Sequence, residues 1–108
     1  MIVLNPTELA KFSAEKMGKT TIAQGASMMV GLNCFEPGQE HAAHTHAGQD
    51  KLYVVLEGSA EVVVGEEKQT VEAGAIAFAS SGVVHSIRNV GEGRLVVMAV
   101  LAPPPVAK

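Results

Sequence analysis

The sequence predicts a single all-β domain, a sandwich or a barrel, on three observations. Its 108 residues suffice for one hydrophobic core and are too few for two. Short runs rich in β-branched and apolar residues recur along the chain, each closed by Gly, Pro, Asn or charged turn residues. Apolar spacing of helical period is almost absent. With 47 % apolar and 18 % charged residues, the composition is that of a folded domain and not of a disordered segment.

The elements follow in order. Met1-Ile2-Val3-Leu4 runs into Asn5-Pro6 with no basic stretch, long apolar run or cleavage pattern, so no signal peptide is expected. Residues 7–12 after Pro6 predict a single helical turn, and residues 20–23 an additional strand. Residues 1–26 are therefore read as an N-terminal arm, 27–101 as the barrel and 102–108 as a proline-rich tail. Within the barrel, strands are predicted over 28–35, 40–46, 51–56, 60–64, 68–71, 75–79, 83–89 and 94–101. The hairpin around Gly65-Glu66-Glu67 is the clearest, with a short loop and β-branched flanks. Pro103-Pro104-Pro105 lack the N–H a sheet ladder needs, so the last strand must end at about Leu101.

Charge and cysteine content exclude several function classes. A net charge of −3 supplies no attraction to nucleic acid or to an anionic membrane. Apolar stretches are interrupted before they reach bilayer length. There is no phosphate-cradling glycine motif, nucleophile elbow or helix-turn-helix region. The single Cys34 rules out an internal disulfide and suits a reducing compartment, so a cytoplasmic location is expected. In its strand-like setting Cys34 reads as a small buried hydrophobe.

Three of the four histidines lie in Glu40-His41-Ala42-Ala43-His44-Thr45-His46. On a strand, residues two apart point the same way, so His44 and His46 share a face and His41 looks away from them unless a bulge intervenes. Small Ala42 beside them leaves room. His85 sits far along the chain, where a curling sheet would bring a third imidazole. Three such groups suit one divalent transition metal, namely Fe, Mn, Zn, Ni or Cu. A short H-x-H pair also occurs as ordinary hydrogen-bonded surface histidine, so the framework around it decides.

That framework resembles the cupins. Gly38, His44, His46 and Gly58 fall on the pattern G-(x)5-H-x-H-(x)3,4-E-(x)6-G, and Gly74, Gly82, His85 and Asn89 on G-(x)5-P-x-G-(x)2-H-(x)3-N, with Ser80 in place of the proline. The resemblance implies a jelly-roll barrel, or double-stranded β-helix. It implies a metal held inside by His44, His46 and His85, and a homodimer in which the arm is exchanged between protomers. It fails at the family's glutamate ligand: the register puts Lys51 there, and an ammonium cannot ligate a cation. Asp50 or Gln49 could substitute if the turn shifts by one residue.

Alternation from Lys51 turns Tyr53 and Val55 inward. Tyr53 is a candidate to hold substrate or water, or a lining aromatic. Lys51 is a candidate partner for an anionic substrate, or for Glu40 or Asp50. Both are assigned as candidate catalytic residues beside a metal set of His44, His46, His85 and Asp50. Met29, Phe35, Phe78, Val83 and Met98 are expected to line the pocket or fill the barrel. The reading that follows is a metal-dependent oxidoreductase, dioxygenase-like, acting on a small molecule. A small-ligand-binding barrel without catalysis and a metal-dependent isomerase or lyase are the rivals. Because imidazole must be neutral to coordinate, metal is expected to leave below about pH 6.

Overall fold

The computed structural model describes residues 1–105. A four-residue 3-10 turn, Pro6–Leu9, opens it where Pro6 presets the first helical dihedral. Nine strands follow among the described residues: β1 (Gly18–Gln24), β2 (Met29–Phe35), β3 (Glu40–His44), β4 (Asp50–Glu57), β5 (Ser59–Val64), β6 (Glu67–Glu72), β7 (Ile76–Ala79), β8 (His85–Asn89) and β9 (Leu95–Ala102). All pairings are antiparallel. One sheet has the order β1-β2-β9-β4-β7 and the other β3-β8-β5-β6. This is the double-stranded β-helix expected.

Period-two alternation decides what lies between the sheets. In β4, Lys51, Tyr53 and Val55 are buried and their neighbours less so. In β9, Leu95, Val97 and Ala99 point the same way, joined by Phe35 from β2, Ala60 and Val62 from β5 and Ile87 from β8. Their burial against one another is the main stabilising term of the barrel. The opposite face of the five-stranded sheet carries a second cluster, Leu32, Cys34 and Val96. Ala10 and Phe12 of the N-terminal segment cover it, with Ile22, Leu56 and Met98. Cys34 is thus a buried hydrophobe, and burial pushes its thiol pKa up.

The structure corrects several expectations. Residues 18–24 are a strand of the five-stranded sheet, so only the first part of the proposed arm lies outside it. β3 stops at His44 and β8 starts at His85, both shorter than expected. Phe78 is 55 % exposed: it pairs with Leu52, whereas Ala77 and Ala79 pair with the inward Tyr53 and Lys51. Met98 pairs with the outward Leu32 and packs in the outer cluster. The last strand ends at Ala102, one residue beyond the predicted stop. Of the tail, residues 106–108 lie outside the described residues.

Two turn glycines separate conformational need from space. Gly38 has φ +84° with nothing near an added Cβ, whereas at Gly58 (φ +90°) that Cβ would lie 2.5 Å from the Arg94 carbonyl oxygen. Gly38→Ala is expected to cost about 1 kcal/mol, the left-handed penalty alone. Gly58→Ala should cost about 3 kcal/mol or more, because strain and overlap combine. Urea denaturation of the two variants checks the order.

Candidate metal centre

β3 and β8 pair so that His44 stands directly opposite His85. Side chains opposite each other on one face of an antiparallel pair must meet, and these ring centroids are 4.2 Å apart. His46 lies past the end of β3, and two loops place it. The Gly82 N–H donates to the His46 carbonyl at 3.1 Å. The Gly48 N–H donates to Ser81 Oγ at 2.7 Å, and the Ser81 N–H donates to the Asp50 carboxylate at 2.9 Å. The His46 ring then sits 4.8 Å from that of His44 and 5.5 Å from that of His85. One nitrogen from each of the three lies within 4.8 Å of the others.

The protonation pattern suits a metal. His44 Nδ1 donates to the Ala42 carbonyl at 2.6 Å and His85 Nδ1 to the Val83 carbonyl at 2.9 Å. A carbonyl only accepts, so Nδ1 carries the hydrogen and Nε2 keeps its lone pair. Carbonyl bonds of this kind orient ligating histidines. The Nε2 atoms of His44, His46 and His85 are all buried without a hydrogen-bond partner. Unpartnered buried acceptors are costly, and a divalent cation would satisfy all three. The three residues fit such an ion.

Burial, then the charge of Lys51 and neighbouring imidazoles, pushes the His44 pKa down to about 4, against the opposing bond to Ala42. Burial also lowers His46 and His85. His44 is therefore neutral well below pH 6, burial shifts His46 and His85 in the same direction, and the expected metal loss at about pH 6 moves to lower pH.

His41 follows the bulged alternative. The pairing runs His41 with Ile87 and then His44 with His85, so β3 carries one extra residue between them. That bulge turns His41 toward His44, at 4.0 Å between ring centroids. Its Nδ1 is buried without a partner, and burial followed by the charge of Lys51 lowers its pKa to about 3.

The proposed substitutes for the missing glutamate are engaged elsewhere. The Asp50 carboxylate holds Ser81, and Gln49 Nε2 donates to the Pro103 carbonyl at 2.9 Å. Asp50 is not in the histidine group, and Gln49 reaches it only as a hydrogen-bond partner of His46. Lys51 occupies the inward position, 3 % exposed, with its ammonium 4.9 Å from the centre of the Tyr53 ring. Tyr53 lies 6.0 Å from His85 between ring centroids, and its buried hydroxyl has no partner. Burial raises its pKa, so at neutral pH it is a donor and not a base.

Sequence reasoning assigned Asn89 no role. Its Nδ2 donates to the carbonyls of Phe35 and Gly93, and its Oδ1 accepts the Gly91 N–H. It locks the β8–β9 loop. An asparagine closing the second motif was the available signal.

Comparison with known proteins agrees with this architecture. Residues 31–101 match the family model described as a cupin domain. The Streptomyces coelicolor protein SCO3923 is 35 % identical over 78 residues, 72 % of each chain. The crystal structure of TT1209 from Thermus thermophilus superposes with a TM-score of 0.92 at 37 % identity, covering 97 % of this chain and 100 % of that one. A Klebsiella pneumoniae protein with a double-stranded β-helix domain gives 0.87 at 26 % identity, covering 97 % and 92 %.

A histidine held neutral in the fold contributes fully above its unfolded pKa near 6.5. That contribution is lost as pH falls toward the folded value, because the unfolded chain takes up protons the fold refuses. The metal-free protein is therefore expected to lose stability steadily from about pH 6.5 to 4. His41→Gln should flatten that slope. Urea midpoints at several pH values test both.

Proposed function

This chain belongs to the cupin family, and we propose that within that fold it is a metal-dependent enzyme acting on a small molecule, with oxidation by dioxygen as the favoured reaction. The observation that carries this reading is the convergence of three buried, partnerless Nε2 atoms, two of them on rings fixed through Nδ1. His44, His46 and His85 would hold the ion. Three neutral ligands leave coordination positions open. When bound, a divalent ion there supplies Lewis-acid or redox chemistry. The protein's part is to exclude bulk water from the inner end of the barrel and to orient what enters. Tyr53 Oη, held protonated, can donate a hydrogen bond to a substrate oxygen. Asp50 has no part in this reading, and Lys51 faces the same space as a cation.

A homodimer accompanies the proposal. Ile76 and Phe78 stand exposed on edge strand β7, and Met1, Ile2 and Leu4 are almost fully exposed. Unpaired apolar edges of this kind are commonly covered by another chain. Sedimentation velocity should give a dimer that Phe78→Lys weakens.

The first test is elemental analysis of untagged protein beside a His44→Ala/His46→Ala variant. Roughly one transition-metal ion per chain is expected, lost in the variant. Metal should leave as pH falls toward 4, where His44 becomes protonated. Oxygen uptake by the Fe(II)-loaded protein with candidate substrates then separates oxidation from isomerase or lyase chemistry. Absence of metal after incubation with Fe(II), Mn(II), Zn(II) and Ni(II) would remove the reading.

A further inference from the structure

The inner face of the five-stranded sheet is not filled evenly. Gly31, Ala99 and Tyr53 lie in one row across β2, β9 and β4, and Met29, Leu101 and Lys51 in the next. Ala99 is small, and Gly31 lets the β1 backbone at Thr20 come close where a side chain would collide with it. Beside them lies a cavity of about 210 Å³ whose lining includes His41, His46, Lys51 and Asn33.

Its charge is one-sided. No acidic side chain lines it. Lys51 is 3 % exposed, and no carboxylate among the described residues pairs with it. A second cation, Lys19, stands directly opposite Asn33 across β1 and β2, at the exposed rim. Asn33 is 6 % exposed and its Nδ2 is buried without an acceptor. An amide buried without an acceptor, beside a lysine with no carboxylate partner, is costly unless a bound group supplies one. All of this sits in a protein whose net charge is −3.

We propose that this cavity binds a small organic carboxylate, with the Lys51 ammonium as counter-charge and Asn33 Nδ2 as hydrogen-bond donor. An ammonium is a point charge suited to a carboxylate, and the amide, two rows away on β2, adds a directional bond to another oxygen of the acid. At about 30 Å³ per water, the volume holds roughly seven waters, so the acid has about that many non-hydrogen atoms. A phosphate dianion would call for more donors than these two. With its carboxylate so placed, the acid extends toward His41 and His46. This names the substrate class for the proposed enzyme, but the anion site itself stands without the metal, and its test uses chelator-treated protein.

Malonate is the probe, with malonamide as its uncharged counterpart and inorganic phosphate as the rival anion. Titrated into metal-free protein at pH 7 and low salt, malonate should shift the Asn33 side-chain amide resonances saturably, and calorimetry should give a Kd. Malonamide should produce neither signal, and phosphate should bind more weakly. Lys51→Met should weaken malonate at least tenfold, and Asn33→Leu several-fold. The wild-type resonances keep the test decisive even if a variant folds poorly. Equal binding of malonate and malonamide, tighter binding of phosphate, no binding to the wild type, or unchanged affinity in a folded Lys51→Met protein would each overturn the proposal. Failure to load metal would leave these outcomes unaffected.

Discussion

The pairing of His44 with His85 across β3 and β8 sets the geometry on which the rest of the site depends. It joins the first histidine cluster to a residue far along the chain, and the sheet register holds the two rings against each other. Everything around the pair adjusts to it. The extra residue in β3 swings His41 in, and the loop after β3 bends His46 back toward the pair. Asp50 and Ser81 act as a clamp on that loop and leave coordination to the imidazoles.

Two chemistries then face each other across the barrel. From the four-stranded sheet and its loop come neutral imidazoles with free lone pairs. From the five-stranded sheet come an ammonium, an amide and a phenol. The first set attracts a cation and the second an anion. Low dielectric strengthens both preferences. Lys51 also helps keep the histidines unprotonated, since its charge is among the causes that lower all four. With Lys51 turned inward and Asp50 held on Ser81, the described histidine group includes no carboxylate.

Much of this was legible in the sequence, and the reasons are physical. Strand alternation is a two-residue rule, so Lys51, Tyr53 and Val55 could be turned inward from spacing alone. The two histidine motifs lie in fixed register to turn glycines, so His44, His46 and His85 followed. The orientation of His41 stayed open because a bulge changes parity without leaving a sequence mark in Ala42-Ala43. Phe78 was misassigned because size was taken for burial. Its parity is set by pairing with β4, and the inward places beside Lys51 and Tyr53 go to alanines. The pairing of residues 18–24 with β2 depends on close backbone approach at Gly31, which composition does not display.

The order of the five-stranded sheet bears on how the protein is made. β9 lies between β2 and β4 although it follows every other described strand in the chain. During synthesis the two strands that must flank it emerge first and have no common neighbour. Until β9 slots between them, the wall carrying Lys51 and Asn33 cannot assemble, although the histidine-bearing β3 and β8 already exist. A nascent chain therefore displays its imidazoles before it has a barrel to enclose them. An enclosed histidine site therefore belongs to the finished fold, after the slow, long-range closure characteristic of such β topologies.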